Sequence, residues 1–169
     1  MAINSITQFV QKFGGGSRVN RFDVTPACSA FDGSSTQFHI RASTIPAATV
    51  TPIGINYFGR TVNIPGERVY EPWNITVLDD KGDKAFYNEF KSWHTDVVSI
   101  GNVINIDTTK VSGCNWTIKH YSNSGGSAKS FTLTDVWPVI VGPLVLDMSQ
   151  DNVLATFDVQ LLYTSFEYT

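Results

Sequence analysis

Residues 38 to 78 read FHIRASTIPAATVTPIGINYFGRTVNIPGERVYEPWNITVL, and this stretch decides the fold. Val, Ile, Thr and aromatic residues dominate it, bounded by Gly and Pro, the composition of strands separated by turns. In a predicted strand over Thr36–Thr44, Phe38 and Ile40 alternate with Gln37, His39 and Arg41, the period of a strand with one buried face. Two further extended runs, Val50–Ile64 and Glu67–Leu78, are predicted to meet at Pro65-Gly66, and Val69, Trp73, Ile75 and Val77 give the second its apolar weight. Pro52 and Pro72 each lack a ladder donor, which places them at bends, bulges or sheet edges. An edge strand offers its unpaired amides and carbonyls to another chain.

Upstream, Asn20–Thr25 is a predicted strand, joined to Thr36–Thr44 as a hairpin through the turn-forming Asp32-Gly33-Ser34-Ser35. Ser5–Gly14 is a predicted helix, with Ser5 and Gln8 in capping-box spacing, an apolar stripe of Ile6, Phe9, Val10 and Phe13, and Gly14-Gly15-Gly16 as its stop. A helix this short does not persist alone in water, so its stripe rests either on its own domain or on a neighbour. Downstream, Lys84–Val98 is a predicted core helix capped by Asp83, with Phe86, Phe90, Trp93 and Val97 on one face. A loop over Gly101–Asn115 leads to a hairpin, Trp116–Ser122 and Lys129–Trp137, around a tip at Asn123–Ala128. After Pro138–Leu146 and a turn at Asp147–Asn152, one long strand is predicted over Val153–Tyr168, with Ala155, Phe157, Val159, Leu161 and Tyr163 on its apolar face. The expectation is a mainly β chain with one internal helix.

The length of 169 residues suits one domain with one core. We expect residues 1–19 to form the helix and glycine hinge and residues 20–169 the β core. A hydrophobic content of 42% excludes a disordered chain, and no apolar run approaches the roughly 20 residues that cross a bilayer. MAINSITQFVQKF has no signal-peptide pattern, so the chain is expected to fold where it is made. Cys28 and Cys114 are too few for a disulfide framework and are expected as buried free thiols. Charged residues reach only 16%, against about 25% for ordinary domains, and interface cores are depleted of charge, so extensive subunit contact is expected. Residues 130 to 169 carry Asp135, Asp147, Asp151, Asp158 and Glu167 with no lysine or arginine, whereas Lys12, Arg18, Arg21 and Arg41 lie near the start. Such ends attract in a head-to-tail assembly. A net charge of −3 argues against a dedicated nucleic-acid grip.

No catalytic chemistry is legible. Gly125–Ser130 has Ala128 where a phosphate-binding loop needs glycine, and a strand follows where that motif needs a helix. Asp79–Asp83 fails as a calcium loop because Lys81 takes a ligand position, and it reads as a polar strand-to-helix connection. His39, His94 and His120 are scattered, and no zinc spacing or Gly-x-Ser-x-Gly elbow occurs. The sequons at Asn74 and Asn115 read as chance. No cofactor or metal is expected, and enzyme function is not.

Several features nevertheless occur in a recognisable order. Arg41–Pro46 joins an arginine to small residues ending in proline, Tyr57–Arg60 is an aromatic Gly-Arg step, Gly66–Arg68 is Gly-Glu-Arg, and Trp73–Val77 precedes the helix. Later come Val136-Trp137-Pro138, Val141-Gly142, Leu144, Leu146-Asp147 and Thr156–Val159. From Arg21 to Leu162 the chain resembles the tail tube proteins of contractile-tailed, myovirus-type bacteriophages. The resemblance implies a β-barrel or sandwich with a flanking helix, whose strands join a continuous inner barrel in hexameric rings that stack into a tube. It further implies a virion protein assembled in the host cytoplasm. Its implied partners are further copies of itself, the tail sheath, a tape measure protein, a baseplate initiator, a tail terminator and DNA in transit. Alternatives sharing the fold are a tube-initiating baseplate protein and a ring protein of a type VI secretion or related injection system. Candidate self-assembly residues are Ile6, Phe9, Val10 and Phe13 of the helix, and Arg60, Gly66 and Arg68 of the matched turns. A polar or acidic lumen is expected, because each lysine or arginine on a phosphate strengthens non-specific DNA binding.

Overall fold

The computed structural model describes residues 6–13, 16–29, 39–79, 86–100, 104–122 and 126–168. Two four-stranded antiparallel sheets carry the core. The first orders β1 (Phe22–Ala27), β8 (Asn115–Tyr121), β9 (Ser127–Thr134) and β12 (Ser165–Tyr168). The second orders β10 (Trp137–Val141), β11 (Thr156–Leu162), β5 (Trp73–Leu78) and β2 (Ile40–Ser43). Among the described residues no ladder joins the two sheets, so the chain by itself forms a sandwich and not a closed barrel. Outside both sheets lie a long hairpin, β3 (Ala48–Tyr57) with β4 (Arg60–Tyr70), and a short one, β6 (Val98–Ile100) with β7 (Ile104–Ile106).

Alternation builds the core as the sequence predicts. Trp73, Ile75 and Val77 of β5 lie directly opposite Leu161, Val159 and Phe157 of β11, and all six are buried. Val24, Trp116, Ile118 and Leu133 face them from the first sheet. Helix α2 (Phe86–Val97) contributes Phe86, Phe90, Trp93 and Val97, the predicted stripe, all buried. Three tryptophans converge there. Trp116 meets Trp73 edge-on with ring centroids 5.6 Å apart and stacks on Trp93 at 6.3 Å. Buried indoles need partners for their N–H groups. Trp73 donates to Thr44 O (2.7 Å) and Trp93 to Lys110 O (3.0 Å). That second acceptor sits on a single 3-10 turn, Thr108–Lys110, capped by Asp107, whose carboxylate accepts from Thr109 N.

Several expectations change. Asn20–Thr25 and Thr36–Thr44 do not form a hairpin: β1 pairs with β8 and β2 with β5, in different sheets. A local turn signal cannot specify a strand's partner when the buried face of that strand fits a distant one. Pro65-Gly66 is not a turn but lies within β4, opposite Pro52, where the register shifts between Val50 and Pro52. Facing prolines lack ladder donors, and a bulge absorbs the gap. The reversal falls instead at Phe58-Gly59. Val153–Tyr168 is not one strand. The chain leaves β11, buries Tyr163 with its hydroxyl donating to Glu71 O (2.9 Å), and enters the other sheet as β12. The Gly101–Asn115 loop contains β7 and the 3-10 turn. Asp83, Lys84 and the Asp32–Ser35 turn lie outside the described residues, and Asp79 accepts from the Tyr87 N–H at the start of α2 (3.2 Å).

The cysteines are the sharpest correction. Cys28 and Cys114 are not free thiols but a disulfide, with Cα atoms 4.2 Å apart. Ladder register explains it: β1 and β8 pair Ala27 with Asn115, and one step further puts Cys28 opposite Cys114. Counting cysteines says nothing about that coincidence. The denatured, unreduced protein is accordingly expected to take up no thiol-alkylating reagent, and the reduced protein to be modified at both positions. Labelling without reductant, read by mass spectrometry, would contradict the bridge.

Candidate assembly surfaces

The β3–β4 hairpin touches little of its own subunit. Every residue of β3 is exposed, and β4 is exposed except at the partly buried Gly66 and Tyr70. Yet Val50, Ile53, Ile55, Val62, Ile64 and Val69 are apolar and exposed along it. A two-stranded ribbon without a core against its face is marginal in water, so this one requires a cover. Its root is fixed, since Glu71 N donates to Ala47 O (3.1 Å) and Trp73 anchors Thr44 beside it.

The candidate residues on the hairpin do different jobs. Arg60 sits at the tip opposite Tyr57, and Arg68 lies opposite Val50, both exposed. Gly66 faces the bulge, where an added Cβ would stand 2.5 Å from Thr51 O. Its absent side chain therefore lets the two strands approach, and its place is within the ribbon and not on its outer surface.

Helix α1 (Ile6–Phe13) buries none of its residues. Ile6, Phe9, Val10 and Phe13 are 83%, 61%, 60% and 58% exposed, and the Phe9 and Phe13 rings stack on each other at 5.2 Å. Of the two resting places open from sequence, its own domain supplies no cover among the described residues. Gly14 and Gly15 of the hinge lie outside them.

A third surface was not legible in the sequence. The segment from Gly142 to Ala155 forms no strand, and Val145, Leu146, Met148, Val153 and Leu154 are exposed on it. Asp147 is held there by Ser149, whose N–H (2.9 Å) and hydroxyl (2.7 Å) both donate to its carboxylate. Those bonds, the hydroxyl's first, keep its pKa below the ordinary carboxylate value. The available signal was the apolar run Leu144–Leu146, which reads in isolation as the end of a strand.

Charge also distributes unevenly between the sheets. The first bears Asp23, Lys119, Lys129 and Glu167 on its strands, whereas the second bears only Arg41 and Asp158. On the outer face of the second, Thr76 donates to Asp158 (2.6 Å) and Gln160 to Asn74 (3.2 Å). The carboxylates after Lys129 do not form one wall: Asp158 is on the second sheet, Glu167 on the first, Asp147 and Asp151 in the loop, and Asp135 accepts from Gly113 N in a turn. His39, His94 and His120 lie apart, and no group of three metal-ligating side chains assembles among the described residues.

No family model matches the chain. It is 26% identical over 168 residues to the tail tube protein gp19 of Enterobacteria phage T4, covering 99% of this chain and all of that one, and equally to its counterpart in phage T6. Over its whole length the chain is similar to the tail tube proteins of contractile-tailed phages. Its fold is that of a chain in the sheath–tube complex of an extracellular contractile injection system, with TM-score 0.63 and 15% identity over 98% of this chain and 97% of that one. A chain of the anti-feeding prophage baseplate superposes with TM-score 0.66 at 13% identity, covering 90% of this chain and 95% of that one. The phage T4 and sheath–tube matches both run through the exposed hairpin and helix as well as the core.

Proposed function

We propose that this chain is the structural subunit of a phage tail tube, in which hexameric rings stack into the conduit for DNA ejection, and that it is not an enzyme. The carrying observation is that an apolar hairpin and an apolar helix stand exposed on a chain matched end to end by tail tube proteins. Open edges at β2, β10, β1 and β12 leave ladder groups for neighbouring copies, so a barrel can close between chains although none closes within one. Candidate contacts are Ile6, Phe9, Val10 and Phe13 with Arg60 and Arg68, and Gly66 shapes the ribbon. The sheath surrounds the tube, a tape measure protein occupies it during assembly in the host cytoplasm, and an initiator and a terminator bound its ends. Purified protein, alone or with a tube-starting baseplate, is expected to give rings or tubes in negative-stain microscopy. Persistent monomer under both conditions would overturn the reading.

The outer face of the second sheet suits a DNA conduit, because its strands carry no lysine and its polar side chains bond to one another. Neutralised phosphates release counterions and hold DNA, so a wall whose strands carry a single cation, Arg41 on β2, holds it weakly and lets it slide. Asn74→Lys, at an exposed position of β5 on that face, is therefore expected to leave tube assembly intact and to slow DNA ejection, more so at low salt. Unchanged ejection kinetics from tubes carrying this substitution would refute the assignment of that face.

A further inference from the structure

The chain's two cysteines meet where an edge strand ends. β1 is outermost in its sheet, and hydrogen bonds hold its start, with Tyr121 N donating to Arg21 O (2.9 Å) and the Arg21 guanidinium to Ser122 O (3.3 Å). Its end is held differently. Pro26 has no N–H to give a ladder, Ala27 and Asn115 form the last pair, and beyond them the Cys28–Cys114 bridge ties the strand to the start of β8. The two linked residues are not equivalent. Cys114 is buried and fixed by its own backbone, its N–H donating to Val111 O (3.2 Å) and its carbonyl accepting from Val136 N (2.8 Å). Cys28 is only partly buried against the core.

The site also suits the open, dithiol form. Cys114 Sγ lies 3.4 Å from Lys110 O, so a thiol hydrogen there has an acceptor, and neither backbone bond of Cys114 depends on the bridge. Opening the bridge therefore releases the end of one edge strand and leaves the aromatic core around Trp116 in place. Compartment decides which form is present. Glutathione and thioredoxin keep cytosolic thiols reduced, whereas a particle outside the cell meets oxidising conditions.

Resting on the reading of tube assembly in the host cytoplasm, we propose that Cys28–Cys114 is a redox-set staple: the subunit enters the tube as the dithiol, and the bridge closes after the virion leaves the cell, fixing β1 in the finished tube. The oxidant is a small-molecule disulfide of the glutathione class. The accessible Cys28 thiolate attacks one of its sulfurs, which forms a mixed disulfide and releases one small thiol. The Cys114 thiolate then attacks Cys28 Sγ, the mixed disulfide breaks, and the second small thiol leaves. The two cysteines lose two protons and two electrons, which the small disulfide gains. A bridge across a sequence separation of 86 restricts the unfolded chain, so it acts on persistence outside the cell and not on growth inside it.

The test traps thiols in time. Infected cells quenched in acid before lysis, then denatured and alkylated, are expected to yield tube subunits modified at both cysteines, whereas subunits of released virions treated identically are modified at neither. Bridges already closed in tubes inside the cell, or thiols persisting in released virions, would overturn the staple and leave the assembly reading standing. The oxidised subunit is expected to melt higher than the same subunit in reductant by on the order of 10 °C. Tubes of a variant carrying Cys28→Ser and Cys114→Ala are expected to form in parent yield and, after release, to resist heat only as well as parent tubes in reductant. Equal heat resistance of released parent tubes with and without reductant sinks the proposal, whether or not that variant folds. If the parent chain forms no tubes at all, the assembly reading fails and the staple falls with it.

Discussion

Replacing Phe9 and Phe13 by serine is expected to leave the melting temperature of the isolated subunit unchanged while abolishing tube formation. No side chain of α1 is buried in its own subunit, so the substitutions remove no core contact. Apolar residues left in water contribute nothing to folding. Once buried on a neighbour, each large apolar side chain is worth about 1.5–3 kcal/mol, so the stripe supplies several kcal/mol per subunit before ordering costs. In the proposed tube the same contact would recur in every ring, and losing it at each copy would remove cooperative growth altogether. Calorimetry on the dissociated subunit and microscopy of assembly reactions decide the matter together. A subunit that melts lower, with tubes still forming, would place the helix on its own domain and end this account.

Legibility in the sequence followed the range of the interactions. Period-two alternation found the inner faces of β5 and β11, and a 3.6-residue period found Phe86, Phe90, Trp93 and Val97, because each pattern is written into contiguous residues. Pairing was less readable. β1 finds β8 nearly a hundred residues away, and the disulfide there depends on one step of ladder register. Turn chemistry misled in both directions within one hairpin. Pro65-Gly66 looks like a turn and sits inside a strand, whereas the true turn holds Phe58, a residue no turn rule selects.

The candidate assembly surfaces were half legible, for a related reason. Amphipathic periodicity exposes α1 as a stripe without a partner, and the resemblance pointed to Arg60, Gly66 and Arg68. Only packing distinguishes Gly66, pressed against the Thr51 carbonyl, from the two arginines in solvent. Val145, Leu146 and Leu154 carry no periodic signature, since an irregular segment has none, and their exposure becomes visible only when the sheets are assembled beside them.

Trp116→Ala is expected to be the most destabilising single substitution in the fold. Its ring is where the first sheet, the second sheet and α2 meet, through Trp73, Trp93 and Phe90. Large-to-small changes at a buried tryptophan cost about 3–5 kcal/mol, and each aromatic pair lost adds about 0.5–1.5 kcal/mol. A whole domain is stable by only about 5–15 kcal/mol, so the variant is left marginal, with a melting temperature lower by on the order of 10 °C. Ile140→Ala, at an exposed position on β10, serves as the control and is expected to shift stability by less than about 0.5 kcal/mol. The damage also spreads to assembly. Trp116 braces Trp73, Trp73 holds Thr44 by its indole N–H, and Thr44 lies at the root of the hairpin. Loosening that root lets the hairpin sample many directions, and binding through it must then meet an ordering cost that the parent has already met on folding. Even below its melting temperature, where circular dichroism reports a folded variant, tube growth is therefore expected to slow. A variant that unfolds early but, while folded, assembles at the parent rate would break this link between the aromatic core and the hairpin.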